Sequence, residues 1–244
     1  MRRDVGTSDT VAFQVMQAGR RQLAQIALEV SACTRCERLV AWREQVAASA
    51  PRSHAGETYW ARPLPGFGDC GARLVVVGLA PAAHGGNRTG RMFTGDRSGD
   101  FLIAGLHRAG YASQWESVAA DDGLSLTGAY VTAAVRCAPP DNKPTPGERA
   151  ACAPYLTAEL GALGEARVLL ALGAIAYEAL RRMPALVPVA TGPTPRFGHG
   201  AEVPLADGRT ILCSYHPSQR NVFTGLLTAE MFEAVLGRAL ALGG

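Results

Sequence analysis

The sequence predicts an α/β fold of three layers, α/β/α, with helices covering both faces of a central, mainly parallel four-stranded sheet. Two observations carry that expectation. Four short apolar runs recur, at Arg73 to Gly78, Ala129 to Val135, Arg167 to Leu172 and Thr210 to Ser214. The stretches between them hold apolar residues at helical spacing, and strands that alternate with helices pair in parallel with helices on both faces. With 244 residues and 48% hydrophobic content, the chain has material for one large domain of this kind.

In chain order, residues 1–15 are expected to be disordered, because Met1 to Thr10 is polar, and 16–244 to form a single domain. Residues 18–30 place Leu23, Ile26, Ala27 and Val30 on one face, which predicts a helix running into Cys33. Residues 50–72 mix Pro, Gly and aromatics without a period and predict an ordered loop. After the first strand, helices are expected around 98–110, 146–161 and 173–183, with a closing helix over 226–242. In parallel sheets ligands bind beyond the carboxyl ends of the strands. Three polar segments fall there: GLAPAAHGGNRTGR after the first run, RCAPPDNKP after the second and YHPSQRN after the fourth.

The net charge is +3, and 23 of the 24 basic residues are Arg, Lys143 being the exception. Arg suits phosphate contacts through its planar fork, while a compositional bias toward Arg and Ala explains the same count. No run of about 18 apolar residues exists and the amino terminus lacks the apolar core of a signal peptide. A cytoplasmic protein with no membrane contact is therefore expected. Without a long amphipathic seam, a monomer is the default. In a reducing compartment six cysteines point to metal or redox chemistry before disulfides.

Cys33 and Cys36 form a CxxC at a helix end, and Cys137 and Cys152 flank a proline-rich turn. Four thiolates suit zinc or an iron-sulfur cluster alike, and unligated core cysteines compete with both. Cys213 lies in an apolar strand and suits the core. The first loop's glycines permit close backbone approach to a ligand, yet it lacks the order of a dinucleotide or Walker motif. His216 taken alone is as readily structural as functional.

Taken together, GLAPAAHGGNRTGRMFTGD (78–96), YHPSQRNVFTG (215–225) and the four cysteines resemble the uracil-DNA glycosylase superfamily, specifically its iron-sulfur family 5, from Cys33 to about Leu227. The resemblance implies a monofunctional glycosylase that flips uracil and other deaminated bases out of DNA and excises them. It implies a [4Fe-4S] cluster on Cys33, Cys36, Cys137 and Cys152. Phe93 matches the aromatic that stacks on the base, with Ala82 and Ala133 as its apolar neighbours. Asp96 matches the carboxylate of the catalytic water, His216 the donor to the uracil carbonyl, and Asn142 a supporting catalytic residue. Residues Gln219 to Phe223 are the candidates for the wedge in the duplex, with Gln219, Arg220 and Asn221 expected at the DNA, and Arg88, Arg91, Arg97 and Arg220 are candidates for phosphate contacts.

Two positions depart from the sister iron-sulfur family 4. Leu79 stands where that group has an acidic residue, and Ala133 where it has an Asn that reads the uracil edge. Both changes are shared with family 5 and imply a broader base range. Double-stranded DNA with uracil or other lesions is the expected partner, and single-stranded DNA a second candidate. The rival readings are a non-catalytic damaged-DNA binder of the same fold, a covalent trap, and a zinc hydrolase. The covalent relatives carry an insertion after the first motif that is not visible between Met92 and Phe101. The HPSQRN loop does not suit the zinc hydrolase.

Overall fold

The computed structural model describes residues 6–244 apart from 191 and 194. The four expected apolar runs form β2 (Leu74–Gly78), β3 (Ala129–Ala133), β4 (Val168–Leu172) and β6 (Thr210–Ser214), paired in parallel. The four-stranded expectation is corrected at both edges. β1 (Phe67–Gly68) pairs antiparallel with β3, and β5 (Glu202–Pro204) antiparallel with β6. Among the described residues the sheet is thus six-stranded and mixed, in the order β1-β3-β2-β4-β6-β5. Runs of two and three residues, one ending in Pro, are too short to show a period, and short strands of this kind close sheet edges against further pairing.

Every residue of β2, β3 and β4 is buried, as expected of parallel strands covered on both faces. Alternation assigns the faces. Leu74 and Val76 join one core with Leu102, Ile103 and Leu106 of α4 (Arg97–Arg108) and Phe232 and Leu236 of α8 (Ala229–Gly243). Val75 and Val77 join the other, with Leu156 and Leu160 of α5 (Pro146–Ala162) and Tyr177 and Leu180 of α6 (Ala174–Arg181). Each such aliphatic or aromatic side chain contributes about 1.5–3 kcal/mol on burial, so the two cores hold the three layers together. Pro146 at the first turn and a capping box between Thr145 and Glu148 start α5.

The first helix, α1, spans Gly6–Ser31, longer than expected. The stretch expected to be disordered, 1–15, lies outside the described residues at 1–5, and α1 begins within it at Gly6. Ile26 and Val30 dock on Tyr155 and Ala162 of α5. Once that contact nucleates the helix, extending it through a proline-free stretch is cheap. α2 (Glu37–Ala48) follows the CxxC and buries Leu39, Arg43 and Val46, an i, i+4, i+7 stripe. No helix among the described residues is long and apolar enough to cross a membrane.

Candidate active site and cysteine cluster

A cavity of about 780 Å³ opens beyond the carboxyl ends of β2, β3 and β6. The loop after β2 supplies Ala82, Phe93 and Asp96, the arm after β3 supplies Asp141 and Asn142, and the segment after β6 supplies His216, Gln219 and Arg220. Residues far apart in sequence meet there because parallel strands end on one side.

Phe93 is 9% exposed and holds a left-handed backbone, φ +50°. Strain of this kind costs about 1–3 kcal/mol and persists only where its surroundings impose it. Gly78, the last residue of β2, makes room below for the ring held this way. A Cβ there would lie 2.7 Å from the ring's Cζ, so the ring rests on bare backbone. Asp96 is the N-cap of α4, and its Oδ1 accepts the amides of Ser98 at 2.9 Å and Gly99 at 3.0 Å. Gly85 gives way to the other oxygen, since a Cβ there would lie 2.0 Å from Oδ2. Burial raises the Asp96 pKa, opposed by the two amides and by the Arg88 charge.

His216 faces Phe93 with ring centroids 6.2 Å apart. Burial among protein atoms pushes its pKa down to about 4, so the ring is a neutral donor near pH 7. Asn221 donates from its amide to the His216 carbonyl at 2.9 Å and so pins the segment. The sequence places Asn221 in the DNA wedge, and here one of its amide hydrogens holds the His216 segment. Residues 219–223 are not a loop but a short helix, α7 (Gln219–Phe223), capped by Ser218 and ending in Phe223, which is 89% exposed. Asp141 (φ +53°) and Asn142 (φ +56°) stand on the cavity's other rim in left-handed conformations.

The four arginines divide. Arg91 is buried, pairs with Asp122 at 2.7 Å and donates to Ser117, Thr94 and the Ala120 carbonyl. Arg88 donates to Glu57 at 2.5 Å and to the carbonyls of His84 and Gly95. Neither lines the cavity, because the loop uses both to brace itself, whereas the sequence expects them at phosphates. Arg97 and Arg220 are exposed on the rim. Ala133, expected beside the base, is buried in the core beneath Phe93 and opposite Gly78 in the sheet.

Cys137 and Cys152 are buried in one apolar cluster with Leu39 and Val135, and Cys36 packs against it. Cys33 contributes a neighbouring charge that raises the pKa of Cys36 and Cys137. Burial is the largest cause at Cys36, Cys137 and Cys152, and carries Cys137 to about 11. Buried Arg43 donates to Cys137 Sγ at 3.2 Å, and its Nε has no partner. Among the described residues no group of three or more His, Cys, Asp or Glu side chains is placed to hold a metal ion.

Sequence reasoning missed Trp42, His54, His84 and Asp141, which also line the cavity. Asp141 and His84 sit inside the PPDNKP and GLAPAAHGGNRTGR segments beside expected site residues, a usable signal. Trp42 and His54 come from α2 and the loop after it, and only the fold brings them in.

The uracil DNA glycosylase superfamily model matches residues 65–239. A type-5 uracil-DNA glycosylase of Thermus thermophilus is 56% identical over 215 residues, 88% of this chain and 95% of that protein. Another, of Mycobacterium bovis, is 47% identical over 94% of this chain and 85% of its own length. A third, of Pyrobaculum aerophilum, is 46% identical over 87% and 89%. A type-4 relative from the same archaeon is 32% identical over 51% of this chain. With that coverage, and with the loops after β2, β3 and β6 inside the matched span, the chain belongs to the uracil-DNA glycosylase superfamily and to its type-5 family.

Proposed function

We propose that this protein excises uracil from DNA by hydrolysing the bond between the deoxyribose anomeric carbon and the base. The observation that carries the reading is the meeting of Phe93, Asp96 and His216 in one cavity. An extruded base stacks on Phe93, with extrusion costing a few kcal/mol and least for mismatched or damaged pairs. Bond cleavage leaves a cationic sugar and an anionic base. The neutral His216 ring donates a hydrogen bond to the developing oxyanion, an effect worth about 3 kcal/mol by analogy with oxyanion-hole donors. Asp96 Oδ2, on the sugar side, orients water and favours the cation; water adds its hydroxyl to the anomeric carbon and the departing base gains a proton. Asn142, held at the rim by its strained turn, supports the base. Arg97, Arg220 and Gln219 contact the DNA, and exposed Phe223 on α7 fills the gap in the stack. Leu79 and Ala82 give the pocket an apolar wall with no hydrogen-bond code, so other deaminated bases are substrates too.

Cys33, Cys36, Cys137 and Cys152 would hold the [4Fe-4S] cluster of the iron-sulfur family. The fit is supported by the charge beside them: buried Arg43 has no carboxylate partner among the described residues and turns to Cys137 sulfur, as suits a net-negative thiolate set. When bound, the cluster supplies a structural brace between α2, α5 and the arm that carries Asn142.

Incubation with a labelled duplex holding one uracil tests the reading. Free uracil is expected from the wild type, and Asp96→Ala and His216→Ala are expected to bind the duplex yet release about a hundredfold less. Full activity in the double variant overturns the site.

A further inference from the structure

The cavity rim carries a pair of histidines with no part in the chemistry above. His54 and His84 stack with centroids 6.1 Å apart and 22° between their planes, and both line the cavity. His54 Nδ1 meets Glu57 Oε1 at 2.8 Å, and His84 Nδ1 meets the Tyr59 hydroxyl at 2.9 Å. Arg88 ties the group together by donating to Glu57 at 2.5 Å and to the His84 carbonyl at 2.7 Å. Three side chains, Glu57, Tyr59 and Arg88, thus fix the two imidazoles and leave each Nε2 without a protein partner among the described residues. An array so thoroughly held, with its outer nitrogens idle, is built to meet something.

Position says what that is. His84 precedes Gly85, whose backbone packs on Asp96 Oδ2. Phe93 lies deep in the cavity, while His84 is exposed. With the base on Phe93 and the sugar at Asp96, the group reached from the rim beside Asp96 is the sugar's own phosphate. Neutral His84, taking the Tyr59 proton at Nδ1, carries a hydrogen on Nε2. His54 turns Nδ1 to Glu57 Oε1, and a ring carrying hydrogen on both nitrogens offers a second Nε2–H. Two donors on stacked rings about 6 Å apart suit two oxygens of one phosphate, each hydrogen bond spanning about 2.8 Å. The internal engagement of Arg88 and Arg91 leaves this stretch of the rim with no free guanidinium of its own loop.

We propose that His54 and His84 form a clamp for the phosphodiester that flanks the extruded nucleotide. The proposal rests on the glycosylase reading. Its test uses a duplex with a non-cleavable 2′-fluorinated deoxyuridine and single methylphosphonates replacing the phosphates around it in turn. Wild-type protein is expected to lose about tenfold in affinity at one flanking position, the scale of one charge-assisted hydrogen bond. His54→Gln and His84→Gln are expected to bind the unmodified duplex about tenfold more weakly and to lose nothing further at that position. Tyr59→Phe keeps both rings but frees His84 Nδ1, so a smaller loss at the same position is expected, which serves should a His variant fail to fold. If every methylphosphonate costs the variants what it costs the wild type, the clamp is overturned and the glycosylase reading stands. If the wild type does not prefer the lesion duplex to an undamaged one, that reading falls and takes the clamp with it.

Discussion

Oδ1 of Asp96 is committed to two backbone amides at the start of α4, and Oδ2 takes no part in that cap. Asn keeps the cap oxygen and removes a half-buried charge whose pKa is raised. Asp96→Asn is therefore expected to lose about two orders of magnitude in uracil release while its melting temperature stays level or rises. A fall in stability would show that the carboxylate is there for the fold. His216 has the opposite sensitivity. Its folded pKa, about 4, lies below the ordinary 6.5, so the unfolded chain binds the proton more readily between those values. Stability on its account is complete above pH 6.5 and declines as pH falls toward 4, by about 2 kcal/mol after discounting for the ring's open edge. Urea titrations at pH 7 and pH 5 should show the difference, and His216→Gln should shrink it. Arg91 separates structure from binding most sharply. Its buried pair with Asp122, which holds that carboxyl well below the usual range, makes Arg91→Ala an expected loss of about 3–5 kcal/mol in chemical denaturation.

At the scale of elements, α7 is the part that DNA would meet. Arg97 at the head of α4 and Arg220 on α7 are exposed on one rim. Replacing either with Ala should lower the slope of log affinity against log salt by about 0.9, one phosphate contact, in fluorescence titrations of a lesion duplex. The four parallel strands were legible because full burial on both faces makes a strand one continuous apolar run, as in LVVVG and VLLAL. β1, β5 and α7 were not, since two, three and five residues carry too little pattern to separate from a loop. The site was legible where one loop holds several of its residues, as Phe93 and Asp96 do. It was not legible for Arg88 and Arg91. A guanidinium in a polar loop looks alike in sequence whether it faces solvent or an internal partner such as Asp122, 31 residues away. Trp42 and His54 were hidden for the converse reason, because nothing local marks a residue that another element carries to the cavity.

Across the whole molecule, the cysteine region and the cavity share their supports. Arg43, next to the cavity-lining Trp42, donates to Cys137 sulfur, and Asn87 of the first loop donates to the Arg43 carbonyl at 3.3 Å. Arg136, buried with Glu159 at 2.6 Å, anchors the residue before Cys137. Cys137→Ser is accordingly expected to lose visible absorption and to lower the melting temperature. It should also weaken uracil release through the displaced Asn142 arm; an unchanged spectrum would remove Cys137 from the ligand set. The cap on α4 carries a different kind of consequence. The first turn of a helix is where fraying begins, and here that turn's amides are what aim the carboxylate. Heating should therefore silence the protein at a temperature where its circular dichroism still reports an intact fold, and cooling from that point should restore it in full.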